Sequence, residues 1–129
     1  MRNGYCAVCA DILHEGHLDF INRCNVLCDK LIVGVMTDEI IEKYKGQKPI
    51  MSTDERVNII RHIKAVDQVI LQNTFEFNRA ALDIPNHTII FDSTKHMRKN
   101  ADVYLHYHEG ISSTQIKERI IEAARNRTK

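Results

Sequence analysis

The sequence predicts an α/β fold, a parallel sheet with helices on both faces, built as a single domain over residues 1–129. Three observations carry this. The chain has 129 residues, one domain's worth and enough to bury roughly two-thirds of its unfolded surface. Short β-branched runs alternate along it with amphipathic stretches of helical period. One of these runs, Lys-Leu-Ile-Val-Gly-Val-Met over Lys30–Met36, is almost continuously apolar, as a strand covered on both faces must be.

Taken in order, Tyr5 to Ala10 is the first strand, followed by a polar loop through Glu15. Gly16 to Leu27 carries Leu18, Ile21, Cys24 and Leu27 or Cys28 at helical spacing,. After the strand at Lys30–Met36, Thr37 offers an N-cap to a helix opening on Asp38-Glu39, whose acidic first turn suits the helix dipole,. That helix ends near Gly46, with Pro49 beyond it,. Ser52-Thr53-Asp54-Glu55 is a capping box for a helix reaching about Lys64, with Val57, Ile60 and Ile63 as its buried stripe,. Asp67 to Leu71 and Thr88 to Phe91 read as the third and fourth strands, with a more weakly signalled helix at Asn73 to Ala81 between them. Val103 to Tyr107 is a short fifth strand. Ser112 or Ser113 caps a last helix to about Arg125, and Arg125, Arg127 and Lys129 form a polar tail. The alternation throughout is that of a Rossmann-like sheet.

Composition excludes several classes of function. With 43% hydrophobic and 27% charged residues the chain reads as an ordinary soluble globular domain,. Eighteen Lys+Arg against seventeen Asp+Glu leaves a net charge of +1, so no nucleic-acid partner is expected. No apolar run approaches the ~20 residues that span a bilayer, and the N-terminus carries charge and cysteines where a signal peptide is apolar, so a cytoplasmic protein with no membrane partner is expected. The five glycines, at 4, 16, 34, 46 and 110, include no G-x-G pair. Both the dinucleotide fingerprint and the P-loop are therefore absent, and any nucleotide phosphates must be held by another device.

Cys6 and Cys9 form a C-x-x-C, and Cys24 and Cys28 a C-x-x-x-C, a spacing superficially like a zinc site. In a strand, however, i and i+3 point to opposite faces, and Ala7-Val8 replaces the Gly or Pro of a zinc knuckle. Cys24 and Cys28 fall one helical turn apart. Free core thiols are the expectation, with neither zinc nor disulfides.

Ligands of open α/β sheets bind beyond the carboxyl ends of the strands. The first strand is followed by Asp11-Ile12-Leu13-His14-Glu15-Gly16-His17, two histidines around a glycine where a loop becomes a helix. Gly16 permits close backbone approach, the helix start favours an anion, and each imidazole can donate to a phosphate oxygen. His106 and His108, two apart on one strand face, lack a third partner at metal-ligand spacing,.

His14-Glu15-Gly16-His17 is an H-x-G-H motif, and it resembles the signature of the nucleotidylyltransferase superfamily. Thr37-Asp38-Glu39, Lys43-x-Lys45 leading to Pro49, and Asp54-Glu55-Arg56 follow in that family's order. Glu109-Gly110-Ile111-Ser112-Ser113-Thr114 resembles the second signature, R-T-x-G-x-S-T, of the cytidylyltransferases. The similarity covers nearly the whole chain, at a length like the compact glycerol-3-phosphate cytidylyltransferases. Tyr107-His108 stands where that signature opens on Arg-Thr, so one phosphate-binding cation is missing. Val8-Cys9-Ala10-Asp11 replaces Gly-Thr-Phe-Asp, and Phe91-Asp92-Ser93-Thr94 replaces the Gly-Asp-Asp segment that helps to shape the acceptor pocket. The first two departures resemble the branch of phosphonate biosynthesis, whose domain often accompanies a phosphoenolpyruvate mutase.

The resemblance implies transfer of CMP from CTP to a small phosphonate, such as 2-hydroxyethyl- or 2-aminoethylphosphonate, with release of pyrophosphate. The alternatives are glycerol 3-phosphate or ethanolamine or choline phosphate as acceptor, a catalytically silent nucleotide-binding module and, third, a zinc-binding interaction module. It implies that His14 and His17 stabilise the α-phosphoryl group. Cys9, Ala10, Asp11, Gly16, Gly110 and Ile111 would line the nucleotide, while Ser112, Ser113 and Thr114 would hold the β- and γ-phosphates. Lys43 and Lys45 read either as cations neutralising triphosphate or acceptor, with Lys43 placed among the catalytic groups, or as a solvated helix end. Asp11 positions a histidine or the metal-bound triphosphate, or caps its loop. Arg56 reaches the nucleotide or forms a surface ion pair. Asp92, Tyr107 and His108 belong to the acceptor side, Tyr107 or His108 taking over part of the missing arginine's role. Mg²⁺ is expected with CTP, held mainly by triphosphate oxygens and water, and a homodimer is expected by analogy.

Overall fold

The structure, a computed structural model, describes residues 1–106 and 112–127. The elements run β1 (Asn3–Val8), α1 (Glu15–Val26), β2 (Lys30–Met36), α2 (Asp38–Lys45), α3 (Thr53–Arg61), β3 (Gln68–Gln72), β4 (Ile89–Ser93), β5 (Val103–Leu105) and α4 (Ser113–Arg127). Among the described residues the strands form one sheet in the order β3-β2-β1-β4-β5, every neighbouring pair parallel. The chain winds outward from β1 to β3 and then returns to lay β4 on the free side of β1. The strand order therefore reverses between β1 and β4, where a ligand crevice opens. No described helix is long and apolar enough to cross a membrane.

Alternation along the central strands sorts two cores. On one face Cys6 and Val8 of β1 and Leu31, Val33 and Val35 of β2 pack with Ile21 and Cys24 of α1 and Ile60 of α3. On the other, Tyr5, Ala7, Ile32 and Ile90 pack with Phe77, flanked by Ile70, Leu82 and Ile84. Cys6 and Cys24 are thus core residues, and all four cysteines are free thiols. Gly34 has a steric reason. A Cβ there would lie 1.8 Å from the Tyr5 hydroxyl, which crosses β2 to donate to Gln72 Oε1 on β3 at 2.5 Å.

Three expectations need correction. β1 ends at Val8, not Ala10, because Ala10 (φ 57°) and Ile12 (φ 63°) adopt left-handed backbone, which no strand continues through. Asn73 to Ala81 is not a helix. There the Gln72 amide donates to Thr74 O, the Thr74 hydroxyl donates to Glu76 O, and Ala80 N donates to Asn78 Oδ1. These side chains offer the backbone partners that compete with a helical ladder. The resulting irregular segment covers the second face, and α2 leans on it through Tyr44, whose ring centroid lies 4.1 Å from that of Phe75. Finally, Thr37 precedes α2 without a side-chain cap. Its place is taken by Thr53 Oγ1, which accepts from Asp38 N at 3.0 Å.

Candidate active site

The junction of β1 and α1 is a capping box made of two histidines. His14 is the N-cap of α1, with extended backbone. Its Nδ1 accepts from Gly16 N at 3.0 Å, while His17 Nδ1 accepts from His14 N at 3.1 Å. A ring nitrogen that accepts from an amide carries no proton, so each neutral ring holds its proton on Nε2. The ring centroids are 4.0 Å apart. Burial, then His14, Lys45 and Lys95, push His17 down to about 4. Burial and then Lys95 lower His14 as well. Both imidazoles are neutral Nε2–H donors at pH 7.

Two buried charges hold this junction in place. Arg56, fully buried, donates from Nη1 to Cys9 O at 2.9 Å and to Met36 O at 2.6 Å, and from Nε to Met51 O at 3.0 Å. Its Nη2 meets Asp38 Oδ1 at 2.6 Å and Thr53 Oγ1 at 3.3 Å. One guanidinium thus joins the ends of β1 and β2 to the start of α3. Asp11 accepts from Ile50 N and Met51 N, each at 3.0 Å, and its Oδ2 pairs with Lys117 Nζ of α4 at 2.6 Å. Burial alone would raise the Asp11 carboxyl, but Lys117 and the two amides hold it below its ordinary value,.

The loop after β4 is fixed from inside. Asp92, buried, accepts from Ser93 N through Oδ1 and from Arg98 N through Oδ2, both at 2.8 Å. Tyr104 OH of β5 donates to Arg98 O. The Arg98 guanidinium carbon lies 5.1 Å from the Phe75 ring centroid and 5.5 Å from that of Phe77. Arg98 is 5% exposed, and its Nε and Nη1 are buried without a hydrogen-bond partner. Its Nη1 stands 4.0 Å from Asp92 Oδ1.

These two loops and the start of α4 enclose a cavity of about 610 Å³. It is lined by His14, Gly16, His17, Lys45, Asp92, Ser112, Ser113 and Thr114 from the predicted set, and by Lys95, His96 and Arg98 that sequence reasoning missed. The available signal was Lys95-His96-x-Arg98 just beyond a strand's carboxyl end. Ser112 opens α4 with its own capping box, accepting from Gln115 N at 3.2 Å while Gln115 Oε1 accepts from Ser112 N at 3.0 Å. Cys9, Ala10, Asp11, Lys43 and Arg56 do not line the cavity. Arg56 is a correction: it is neither nucleotide-facing nor in a surface ion pair, because its guanidinium is engaged by five acceptors in the interior. Asp92 lines the wall with both oxygens engaged by amides. Lys43 lies exposed on α2. Tyr107, His108, Gly110 and Ile111 lie outside the described residues. A separate depression of about 720 Å³, between residues 74–80 and 100–102, contains none of these groups.

Among the described residues no group of three or more His, Cys, Asp or Glu side chains could hold a metal ion. The donors that line the cavity are imidazole N–H groups, lysine and guanidinium cations and hydroxyls, beside the carboxylates of Glu15, Asp19 and Asp92, of which Asp19 pairs with Arg23 and Asp92 with backbone amides. That set matches a polyanion such as a chain of phosphates.

Residues 5–109 match the family described as cytidylyltransferase-like. Over 71 residues, 54% of this chain, the sequence is 44% identical to a protein named bifunctional protein HldE from Vibrio cholerae serotype O1, strain ATCC 39541. The match spans 14% of that protein. Over 61 residues, 47% of this chain, it is 41% identical to an FAD synthase of Thermococcus sibiricus, spanning 41% of it. Among solved structures, a lipopolysaccharide core biosynthesis protein from Thermoplasma volcanium GSS1 superposes with a TM-score of 0.63 at 22% identity, over 96% of this chain and 89% of that one. That likeness shows a shared fold.

Proposed function

This chain belongs to the cytidylyltransferase-like family, and on that premise we propose that it transfers CMP from CTP to a small phosphonate or phosphate monoester. In the proposed reaction an anionic phospho oxygen of the acceptor attacks the α-phosphorus of CTP in line. The bond from the α-phosphorus to the α,β-bridging oxygen breaks, and pyrophosphate leaves with that electron pair. The acceptor oxygen is already ionised, so the chain needs no general base and no nucleophile, in keeping with cysteines placed in or beside the core. Catalysis then consists of positioning and of stabilising charge.

The observation that carries this reading is the reciprocal histidine cap. It aims two neutral N–H donors from a helix start into a cavity that also holds the start of α4. His14 and His17 hydrogen-bond the α-phosphoryl oxygens, and Ser112, Ser113 and Thr114 take the β- and γ-phosphates with hydroxyls at a helix N-terminus. Lys45 and Lys95 add positive charge. Among the described residues no three carboxylate, imidazole or thiol groups converge to hold a metal ion, and the Asp92 oxygens are engaged by amides. This suits Mg²⁺ arriving on the triphosphate, where it would supply charge neutralisation. A phosphonate acceptor is preferred for the resemblance of Ala10-Asp11 and of Tyr107 to Thr114 to the phosphonate branch.

A second reading, adenylyl transfer, is favoured by the match to an FAD synthase, whose product carries an AMP unit. Pyrophosphate release decides between them, with Mg²⁺ and either CTP or ATP across phosphonate and phosphate-monoester acceptors. Release from CTP with one phosphonate, lost in His17→Ala, is the expected result. Release from ATP alone overturns the cytidylyl reading. CTP binding without release from either nucleotide makes the chain a binding module.

A further inference from the structure

We infer that Arg98 is the binding group for the acceptor's dianionic phospho head, a role that no motif of the sequence assigns to it. The inference rests on the transfer reading above and deepens it by placing the acceptor.

The starting point is an electrostatic imbalance. A buried guanidinium is stable when its charge is paired and its N–H groups have acceptors. Arg56 meets both conditions through five short contacts. Arg98 is nearly as deeply buried, yet its Nε and Nη1 have no acceptor and its carboxylate neighbour stands off at 4.0 Å. That neighbour, Asp92, already accepts from two backbone amides. The charge is held in place by aromatic faces and by a backbone pinned at both N and O. The residue before it, Met97, sits at φ 47°, a left-handed conformation that costs energy in a non-glycine residue. A preorganised cation with orphaned donors in a cavity wall is built to receive an anion.

Which anion follows from where the wall stands. His14, His17 and α1 belong to the first face of the sheet, with the Ile21–Cys24 core. Arg98 stacks on Phe77, a residue of the second core, and on Phe75 beside α2. In-line displacement needs the attacking group and the leaving pyrophosphate on opposite sides of the α-phosphorus. With the pyrophosphate end assigned to α4 and the histidines at the α-phosphorus, the remaining cationic wall, from the second face, is the acceptor's. Lys95 and Lys45 stand beside Arg98 in this lining, against the single carboxylate of Asp92 from the β4 loop, and His96 is pushed to about 4 by enclosure and then by Arg98, Lys95 and Lys45. Such a field draws in a dianion that the triphosphate would otherwise repel.

The test uses methylphosphonate and methyl phosphate as probes on the full chain. The Arg98 Nε–H resonance is followed in ¹⁵N spectra, with and without Mg²⁺ and α,β-methylene-CTP, an analogue that cannot lose pyrophosphate. Saturable movement of that resonance is expected, and the tighter probe tells a phosphonate from a phosphate-monoester site. No movement in either state overturns the inference without any variant having to fold. Arg98→Met keeps a flexible apolar stem between the two rings. It should weaken probe binding about a hundredfold and leave CTP affinity within about twofold, while Arg98→Lys, lacking the fork, should weaken it about tenfold. If the variants weaken CTP binding and leave the probes alone, Arg98 serves the triphosphate and the inference fails. Probe binding that depends on Arg98 with no pyrophosphate release upholds the anion site and refutes the transfer reading. Release with an unchanged acceptor KM in Arg98→Met does the reverse.

Discussion

Two loops leave the sheet side by side, one from β1 and one from β4, and both present basic side chains to the same cavity. They keep those side chains ready in opposite ways. The β1 loop engages the Nδ1 of each imidazole with a backbone amide and buries the rings among cations, so its donors are uncharged. The β4 loop stacks a guanidinium on aromatic rings and leaves its charge intact. The first is a tunable pair of donors whose charge can follow that of a bound phosphate. The second is a guanidinium fixed in place by the rings and by its backbone contacts. On the proposed reading the first serves the reacting centre and the second the acceptor's anion.

The sharpest test is His17→Ala. Loss of one donor at the developing charge should lower turnover about 10²- to 10³-fold, equally for every acceptor, in steady-state assays of pyrophosphate release. An effect confined to one acceptor would erase the distinction between the loops. Next in size are the latches. Arg56→Met should cost about 3 kcal/mol in urea unfolding, because three carbonyls and Asp38 lose a buried partner. Asp92→Ala should cost about 2 kcal/mol, by freeing two amides in the β4 loop. If Arg56→Met disturbed the Arg98 resonance more than those of His14 and His17, the two loops would not be independent units.

The third test is pH. The folded chain keeps His17 neutral down to about 4, whereas an unfolded histidine takes up a proton near 6.5. Between these values the unfolded state binds more protons, so stability is complete above about pH 6.5 and falls as pH drops toward 4. Allowing for partial exposure, the loss is about 2 kcal/mol. His17→Ala should remove its share of that slope in urea titrations and leave the shares of His96 and His14, and bound CTP should move the His17 titration upward. The smallest effect belongs outside both loops. Ser112→Ala removes the α4 cap for about 1 kcal/mol, seen as faster amide exchange in the first turn of α4 with the β1 and β4 loops unchanged.

The β1 loop was legible because its information is local. Four consecutive residues, His14 to His17, form both the cap and the donor pair, and the apolar run Lys30–Met36 and the Ser52–Glu55 box place β2 and α3 just as directly. The β4 loop was not legible, because Arg98 acquires its role from Phe75, Phe77, Asp92 and Tyr104, which only the folded chain assembles. Reading Asn73–Ala81 as a helix hid this further, since the irregular course of that segment brings Phe75 and Phe77 to Arg98. Arg56 failed for a related reason. A charged residue beside a capping box reads as surface, yet here three backbone carbonyls at strand and loop ends converge on it. The two left-handed residues around Asp11 have no counterpart in composition or periodicity.

None of the fifteen residues of α4 is buried, and Ile120 and Ile121 are more than half exposed. Lys117 ties it to Asp11 of the β1 loop at 2.6 Å. A helix docked so lightly opens at a small fraction of the free energy needed to part β1 from β2. Its first turn carries the hydroxyls assigned to the leaving pyrophosphate. Through the Asp11–Lys117 pair the helix whose first turn lines the cavity and the loop that leads to the histidines share one charge contact, so whatever displaces one is felt by the other.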